Sequence, residues 1–271
     1  SAETRVRNSV VIARHTEEQG RCVHHTTRLR RWIEDYRPFL MALTAYATPP
    51  KVLCETQWPF LGSDPLGSIL ARRVSMGRAI GDVTKPARGL DMPIRGSGGS
   101  LGPAGPYALL FKTSAYNWLP VFLEPPPAQD ASGREIEQTE MKALWFRDSS
   151  LRDAAWLVLA GKWGFAWWST YGDDFHVTGG LLGAFPAGAE VVAASLPDGV
   201  AGLATQLAEE LPHHVVFKLN AKKHVGNFNL RACRGITDRA DQALCDLWDE
   251  EAMYELNLLY HQTIRTAGSD G

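Results

Sequence analysis

Residues 149–178 read Ser149-Ser-Leu-Arg-Asp-Ala-Ala-Trp-Leu-Val-Leu-Ala160-Gly-Lys-Trp-Gly-Phe-Ala-Trp-Trp168-Ser-Thr-Tyr-Gly172-Asp-Asp-Phe-His-Val-Thr178. Ala154, Leu157, Val158 and Gly161 line one face at helical spacing, so a helix is expected from Ser150 to Trp168, capped by Ser149 or Ser150. Its end is dense in aromatics, and Gly172-Asp173-Asp174 then turns the chain into Phe175–Thr178. Two roles are open for the aromatic cluster. Trp and Tyr can form a ledge that stacks on bases, with Asp or His fixing a backbone. Alternatively Trp167 and Trp168 pack in the core while Asp173 caps or closes the turn. The packing role is favoured for most of these residues, because buried aromatics are commoner than stacking ones.

Upstream, Asn8–Arg14 with Val10-Val11-Ile12 reads as a short buried strand. Leu29, Trp32, Ile33 and Tyr36 recur at helical spacing, and Pro38 suits the first turn of another helix through Leu40 and Leu43. From Pro49 to Pro127 the chain is rich in Gly and Pro, with short apolar runs at Tyr107–Lys112 and Trp118–Leu123. This stretch is expected to be loop and strand without a long helix. Downstream, Val200, Leu203, Ala204, Leu207 and Leu211 describe an amphipathic helix ended by Pro212, and a helical pair is expected over 238–266. The fold class is therefore α+β: an irregular β-rich middle flanked by helices, with a helical C-terminal tail.

The chain has 271 residues, 45% of them hydrophobic and 21% charged, enough to close a sizeable core. Lys and Arg number 28 against 30 Asp and Glu, a net charge of −2, which excludes a uniformly basic nucleic-acid binder. The charge is segregated. Arg72, Arg73, Arg78, Lys85, Arg88 and Arg95 stand against Asp82 and Asp91. Lys218, Lys222, Lys223, Arg231, Arg234 and Arg239 stand against Asp238 alone. Residues 240–260 carry six carboxylates and no Lys or Arg. Such blocks can present one face to an anionic polymer, or they can be solvated faces. No apolar run approaches the roughly 20 residues that span a bilayer, and the N-terminus has no secretory h-region. Ser1-Ala2 reads as a cloning remnant. Cys22, Cys54, Cys233 and Cys245 are too scattered for a disulfide framework or a zinc site, which favours a cytoplasmic location.

No phosphate loop, dinucleotide fingerprint or serine-hydrolase elbow is present. His24-His25 and His213-His214 lack the i, i+4 spacing that places two imidazoles on one metal. Asp130 with Glu140-x-Lys142 has the residue types of a Mg²⁺-dependent nuclease, two carboxylates for the ion and a lysine for the water, on a loop-like run.

Four stretches together resemble the C-terminal region of bacterial type II N6-adenine DNA methyltransferases of restriction-modification systems. The aromatic helix end followed by Tyr171-Gly-Asp-Asp-Phe-His-Val-Thr178 and Leu181-Leu-Gly-Ala-Phe-Pro186 is similar to that family's aromatic helix, Gly-Asp turn and Phe-Pro segment. Arg7-Asn-Ser-Val-Val-Ile12 resembles the last strand of its catalytic domain. Trp32–Leu40 resembles the helix start that follows. Lys222–Asn229 with Ile236–Asp241 resembles the lysine- and asparagine-bearing loop before the last helices. The likeness runs through nearly the whole chain in the right order. It departs from the family in lacking an Asn-Pro-Pro-aromatic motif, since Thr48-Pro-Pro-Lys51 and Glu124-Pro-Pro-Pro127 do not serve. It also lacks the glycine-rich S-adenosylmethionine loop, and Asp174 replaces the second glycine of the turn.

The resemblance implies a target-recognition fragment that binds double-stranded DNA. The catalytic domain would lie outside this chain, S-adenosylmethionine would belong to the full-length enzyme, and no complete active site or metal is expected here. It also implies an organisation: 1–48 as the edge of the methyltransferase domain with connecting helices, 49–190 as the target-recognition domain, and 191–271 as a C-terminal helical region. The residues suited to DNA are Arg72, Arg73, Arg78, Lys85, Arg88, Arg95, Lys218, Lys222, Lys223 and Arg231 for phosphates, with Asn227, Asn229 and the arginines for base edges. A protein-interaction module with exposed aromatics and the Asp130/Glu140/Lys142 nuclease are the rival readings.

Overall fold

The computed structural model describes residues 24–27, 31–32, 45–55, 57–84, 107–115, 118–136, 138, 141–173, 175–192, 195–220, 222–256 and 263–264. The expected strand at Asn8–Arg14 and the helix after Pro38 lie outside them. Three two-residue strands come first: β1 (Thr26–Thr27), β2 (Arg31–Trp32) and β3 (Tyr46–Ala47), with β1 antiparallel to β3. Arg31 and Trp32 were expected on a helix. They pair instead in parallel with Thr263 and Ile264, a backbone partnership from far along the chain that local apolar spacing does not register.

A second departure follows. Residues 49–127 were expected to hold no long helix, yet α1 (Asp64–Ser75) is a 12-residue helix. Extended Ser63 and Pro65 in the first turn start it, Asp64 suits the positive end of the helix dipole, and Leu66, Ile69, Leu70 and Arg73 form its buried stripe. Pro and Gly there punctuate a helix rather than forbid one.

The β layer is split. β4 (Tyr107–Lys112) is the centre of a three-stranded sheet between β5 (Val121–Phe122) and a later strand. β6 (Ala128–Gln129) and β7 (Glu135–Ile136) pair across a tight turn, and β8 (Met141–Phe146) completes the first sheet in the order β5-β4-β8. On β8 the burial alternates from Met141 to Ala143, and the flanking β4 is buried from Leu109 onward. This sheet packs under α2 (Ser149–Ala160), whose Trp156 donates to the Val121 carbonyl at 3.1 Å.

The expected continuous helix over 150–168 is two helices. α2 starts at Asp148, whose side chain accepts from Leu151 N–H at 2.8 Å and takes the capping role anticipated for Ser149 or Ser150. The break falls at Gly161, and α3 (Lys162–Tyr171) follows. α4 (Gly179–Gly183), α5 (Gly188–Val192) and α6 (Asp198–Glu210) come next; α6 is the anticipated amphipathic helix, and a short 3-10 turn carries Pro212.

β9 (Val215–Asn220) and β10 (Lys223–Phe228) form a hairpin where a loop was expected, and extend the second sheet in the order β7-β6-β10-β9. α7 (Arg234–Trp248) begins before Asp238, and α8 (Glu251–Glu255) ends well short of Thr266 before the two-residue β11 (Thr263–Ile264). The fold is mixed α+β, as expected.

One continuous core runs from Ala47 to Met253. Trp163, Trp167 and Trp168 all lie in it, at most 6% exposed, so the aromatic cluster is packing and not a stacking ledge. Asp173 does close its turn, accepting from Phe175 and His176 N–H at 3.0 and 2.6 Å. No helix among the described residues is long and apolar enough to cross a membrane.

Candidate nucleic-acid interface

Residues 211–237 contain no Asp or Glu, and their centre is the β9–β10 hairpin. Cross-strand pairs run from Lys223 opposite Asn220 out to Phe228 opposite Val215. Because side chains alternate across a strand, one face carries Val215, Phe217, Leu219, His224 and Phe228. The other carries Val216, Lys218, Asn220, Lys223, Val225 and Asn227. Lys218, Lys222, Lys223 and His224 are all exposed. Lys222 occupies the turn with φ 66, the left-handed region that a two-residue hairpin of primed type demands. Arg231 is exposed on the 3-10 turn just after β10.

The hairpin is rooted firmly. Phe228 is buried with its ring edge-on to Phe122 at 5.2 Å, a burial that stabilises by about 2 kcal/mol. Gly226 N–H donates to Pro127 O at 2.8 Å, and a Cβ at Gly226 would collide with that same oxygen. The Gly226 carbonyl accepts from Gln138 Nε2 and from Lys112 Nζ, both at 2.9 Å. Lys112 also donates to Asn227 Oδ1 at 2.6 Å. This buried ammonium is offset by charge-assisted hydrogen bonds, and it ties β4 to β10.

Of the residues expected to touch DNA, the hairpin therefore carries Lys218, Lys222 and Lys223, while Arg231 stands beyond its opposite end on the 3-10 turn. Asn227 reaches the same strand, but its amide is engaged by Lys112 and by the Val225 carbonyl. It is better described as a hairpin brace than as a base reader. Asn229 is half-buried at the strand's end, with its main chain bonded to His214 and Ala232.

The first basic block is used differently. Arg72 makes a two-pronged contact with Glu250, at 2.8 and 2.5 Å, and Glu250 is 4% exposed. The same carboxylate raises the Arg72 pKa. Arg73, expected at a phosphate, is 1% exposed. Its guanidinium lies 3.8 Å from the Trp248 ring centroid and donates to Pro186 O, and burial lowers its pKa to about 10. A side chain so enclosed cannot reach DNA. Part of the acidic tail thus neutralises part of the basic block inside the fold. Arg78 is exposed, while Lys85, Arg88 and Arg95 lie outside the described residues.

Two of the three nuclease residues, Asp130 and Lys142, are described. Asp130 Oδ1 accepts from Ser132 N–H, Ser132 Oγ and Arg134 N–H, which lowers its pKa and ties it to the β6–β7 turn. Lys142 is half-buried on β8, and Glu140 lies outside the described residues. Among the described residues no group of three or more His, Cys, Asp or Glu could hold a metal.

Two concavities lie on the surface of the described residues. An open cleft of about 400 Å³ between α6 and α7 is lined by Gln206, Glu209, Glu210 and Arg239 and has no aromatic ring for an adenine. A crevice of about 130 Å³, lined by Phe122, Trp156, Leu211 and Phe228, is too small for a nucleoside.

The β9–β10 hairpin as a structural unit, His224 and the exposed Val216, Phe217 and Leu219 were not anticipated from the sequence. The period-2 run Val215–Asn220 was the available signal; Asn220-Ala-Lys-Lys223 hid the turn because it contains no glycine. No known protein family, curated protein or solved structure compared with this chain matches it.

Proposed function

We propose that this chain grips and selects duplex DNA for an adenine-N6 methyltransferase, whose Asn-Pro-Pro motif and methyl-donor site belong to another portion of that enzyme. The observation that carries the reading is the basic β9–β10 ribbon. β-sheets as well as ribbons are used to read DNA, and this hairpin, the outer strand pair of the four-stranded sheet, carries Lys218, Lys222, Lys223 and His224 with no carboxylate in its own segment. Lysines at the turn contact phosphates and set register. Asn220, exposed beside them, can reach a base edge. An enzyme that modifies adenine N6 must flip the base out of the stack, and a rigidly rooted ribbon holds the duplex in place during that step.

The test is fluorescence anisotropy of the full chain on several unrelated duplexes across a salt series. Replacing Lys222 and Lys223 together by Ala removes two phosphate contacts, so the slope of log affinity against log salt should become shallower by about 1.8. The loss should be similar on every duplex. An unchanged slope, or no retention of DNA by the parent chain at low salt, rejects the reading.

Exposed Val216, Phe217 and Leu219, at 47%, 43% and 70%, favour a second reading as a protein-interaction module. Salt-insensitive association with a protein, without DNA binding, is the outcome that supports it.

A further inference from the structure

We propose that β9 is the seam of a homodimer, formed when two copies of the chain pair antiparallel through this strand with Phe217 opposite Phe217 of the second copy. Among the described residues β9 ends its sheet, with β10 on one side and no strand on the other. Edge strands are ordinarily blunted by Pro, bulges, short length or charged side chains, Lys especially, and β9 has one such charge, Lys218. β9 is six residues long, has no Pro, and pairs in unbroken register with β10.

The backbone directions settle which residues face outward. Asn220 and Lys223 flank the two-residue turn and so form a hydrogen-bonded pair, which makes Lys218–Val225 and Val216–Asn227 hydrogen-bonded pairs also. Phe217–Gly226 is then a non-bonded pair. Gly226 confirms this, since its N–H points away from β9 to Pro127 O and its carbonyl accepts from Lys112 and Gln138. The N–H and C=O groups of Val215, Phe217 and Leu219 therefore point to the open edge.

Side-chain chemistry selects the register and the occupant. Centring the two-fold axis on Phe217 places Val215 opposite Leu219 of the second copy and Phe217 opposite its counterpart, all on the apolar face. On the other face it places Val216 opposite Lys218, so no like charges meet. Centring it on Lys218 would set two ammonium groups directly opposite one another. Centring it on Val216 would leave Leu219, 70% exposed, without a partner. The strand is self-complementary in one register, which is the requirement of an isologous interface. The joined sheet would carry Lys218 and Lys223 of both copies on a single face. The dimer does not depend on the DNA-binding proposal, and its test contains no nucleic acid.

Sedimentation equilibrium of the full chain should show mass rising with concentration toward that of two chains. Phe217→Pro should hold the chain monomeric with an unchanged far-UV circular dichroism spectrum, because the N–H it removes points off the β9–β10 ladder. Under mild oxidation Phe217→Cys should give a disulfide-linked dimer, since Cα atoms of a hydrogen-bonded pair lie about 5.5 Å apart, within disulfide reach. Leu219→Cys and Lys218→Cys should cross-link no more than the parent chain, whose native cysteines supply the blank. A monomer at every concentration, or cross-linking at Lys218→Cys in place of Phe217→Cys, overturns the proposal.

Discussion

The break between α2 and α3 makes a quantitative prediction about pH. Asp241 on α7 is buried, and its two oxygens accept Lys162 N–H at 3.0 and 2.8 Å, so it caps α3 from another helix. Burial is the largest influence on it and raises its pKa from 3.8 to about 7; the Lys162 N–H oppose that rise, and Asp238 adds to it. Lys162, itself lowered by burial, and Cys245 face the same carboxyl. A carboxyl raised in the folded state stabilises fully below its unfolded pKa, and this contribution is lost as pH rises through the folded value. From about 3.8 to about 7 the loss is on the order of 4 kcal/mol for this one group.

Asp241→Asn keeps the volume and one acceptor but does not titrate. Urea unfolding of both proteins from about pH 4 to about pH 8.5 should show the parent losing stability relative to the variant across that window, with the difference levelling off above it. Parallel profiles would refute the buried, protonated cap. Gly161→Ala is the steric companion. Its φ of −97 suits any residue, but the added Cβ would collide with Asp241 Oδ1. Losing the cap should cost about 2 kcal/mol while the pH dependence persists, because burial and not the cap raises the Asp241 pKa.

Three further outcomes are expected. Arg72→Ala should destabilise by about 2 kcal/mol in urea unfolding, less than a fully enclosed pair because Arg72 is half-exposed, since it leaves Glu250 buried without its partner; the salt slope of DNA binding should not change. Lys222→Gly should raise stability by about 0.5–1 kcal/mol, because glycine adopts the positive φ at no steric cost, and an unchanged or lower Tm would contradict the turn assignment. Asp148→Ala should cost about 1 kcal/mol through the lost cap on Leu151, with Asp148→Asn restoring most of it.

Much of the local structure was readable from residues alone. The period-3.6 stripe Val200–Leu211 became α6, the apolar run Tyr107–Lys112 became β4, and the turn chemistry of Gly172-Asp173 placed a closed turn where one was expected. The hydrogen bonds of α6 and of the Gly172-Asp173 turn come from within a few residues, whereas β4 was legible from its apolar run although its partners β5 and β8 lie further along the chain. The errors share a dependence on partners distant in sequence. Gly161 breaks a helix because Asp241, distant in sequence, needs the space. Arg73 is inside because Trp248 and Pro186 receive it.

The site divides along the same line. Charge segregation, the absence of acids from 211–237 and the departures from any methyl-transferring motif are properties of composition and order, so the amino-acid string determines them unaided. Which basic block faces solvent is not such a property. Arg72 and Lys222 are equally cationic as letters. Glu250 and Trp248 draw the first block inward, while the lysines of the second stand exposed on the outer hairpin of a sheet that the Lys112 and Gly226 contacts anchor. Charge follows from sequence, but its availability to a partner depends on desolvation and pairing between distant segments, and only the tertiary structure brings those segments together.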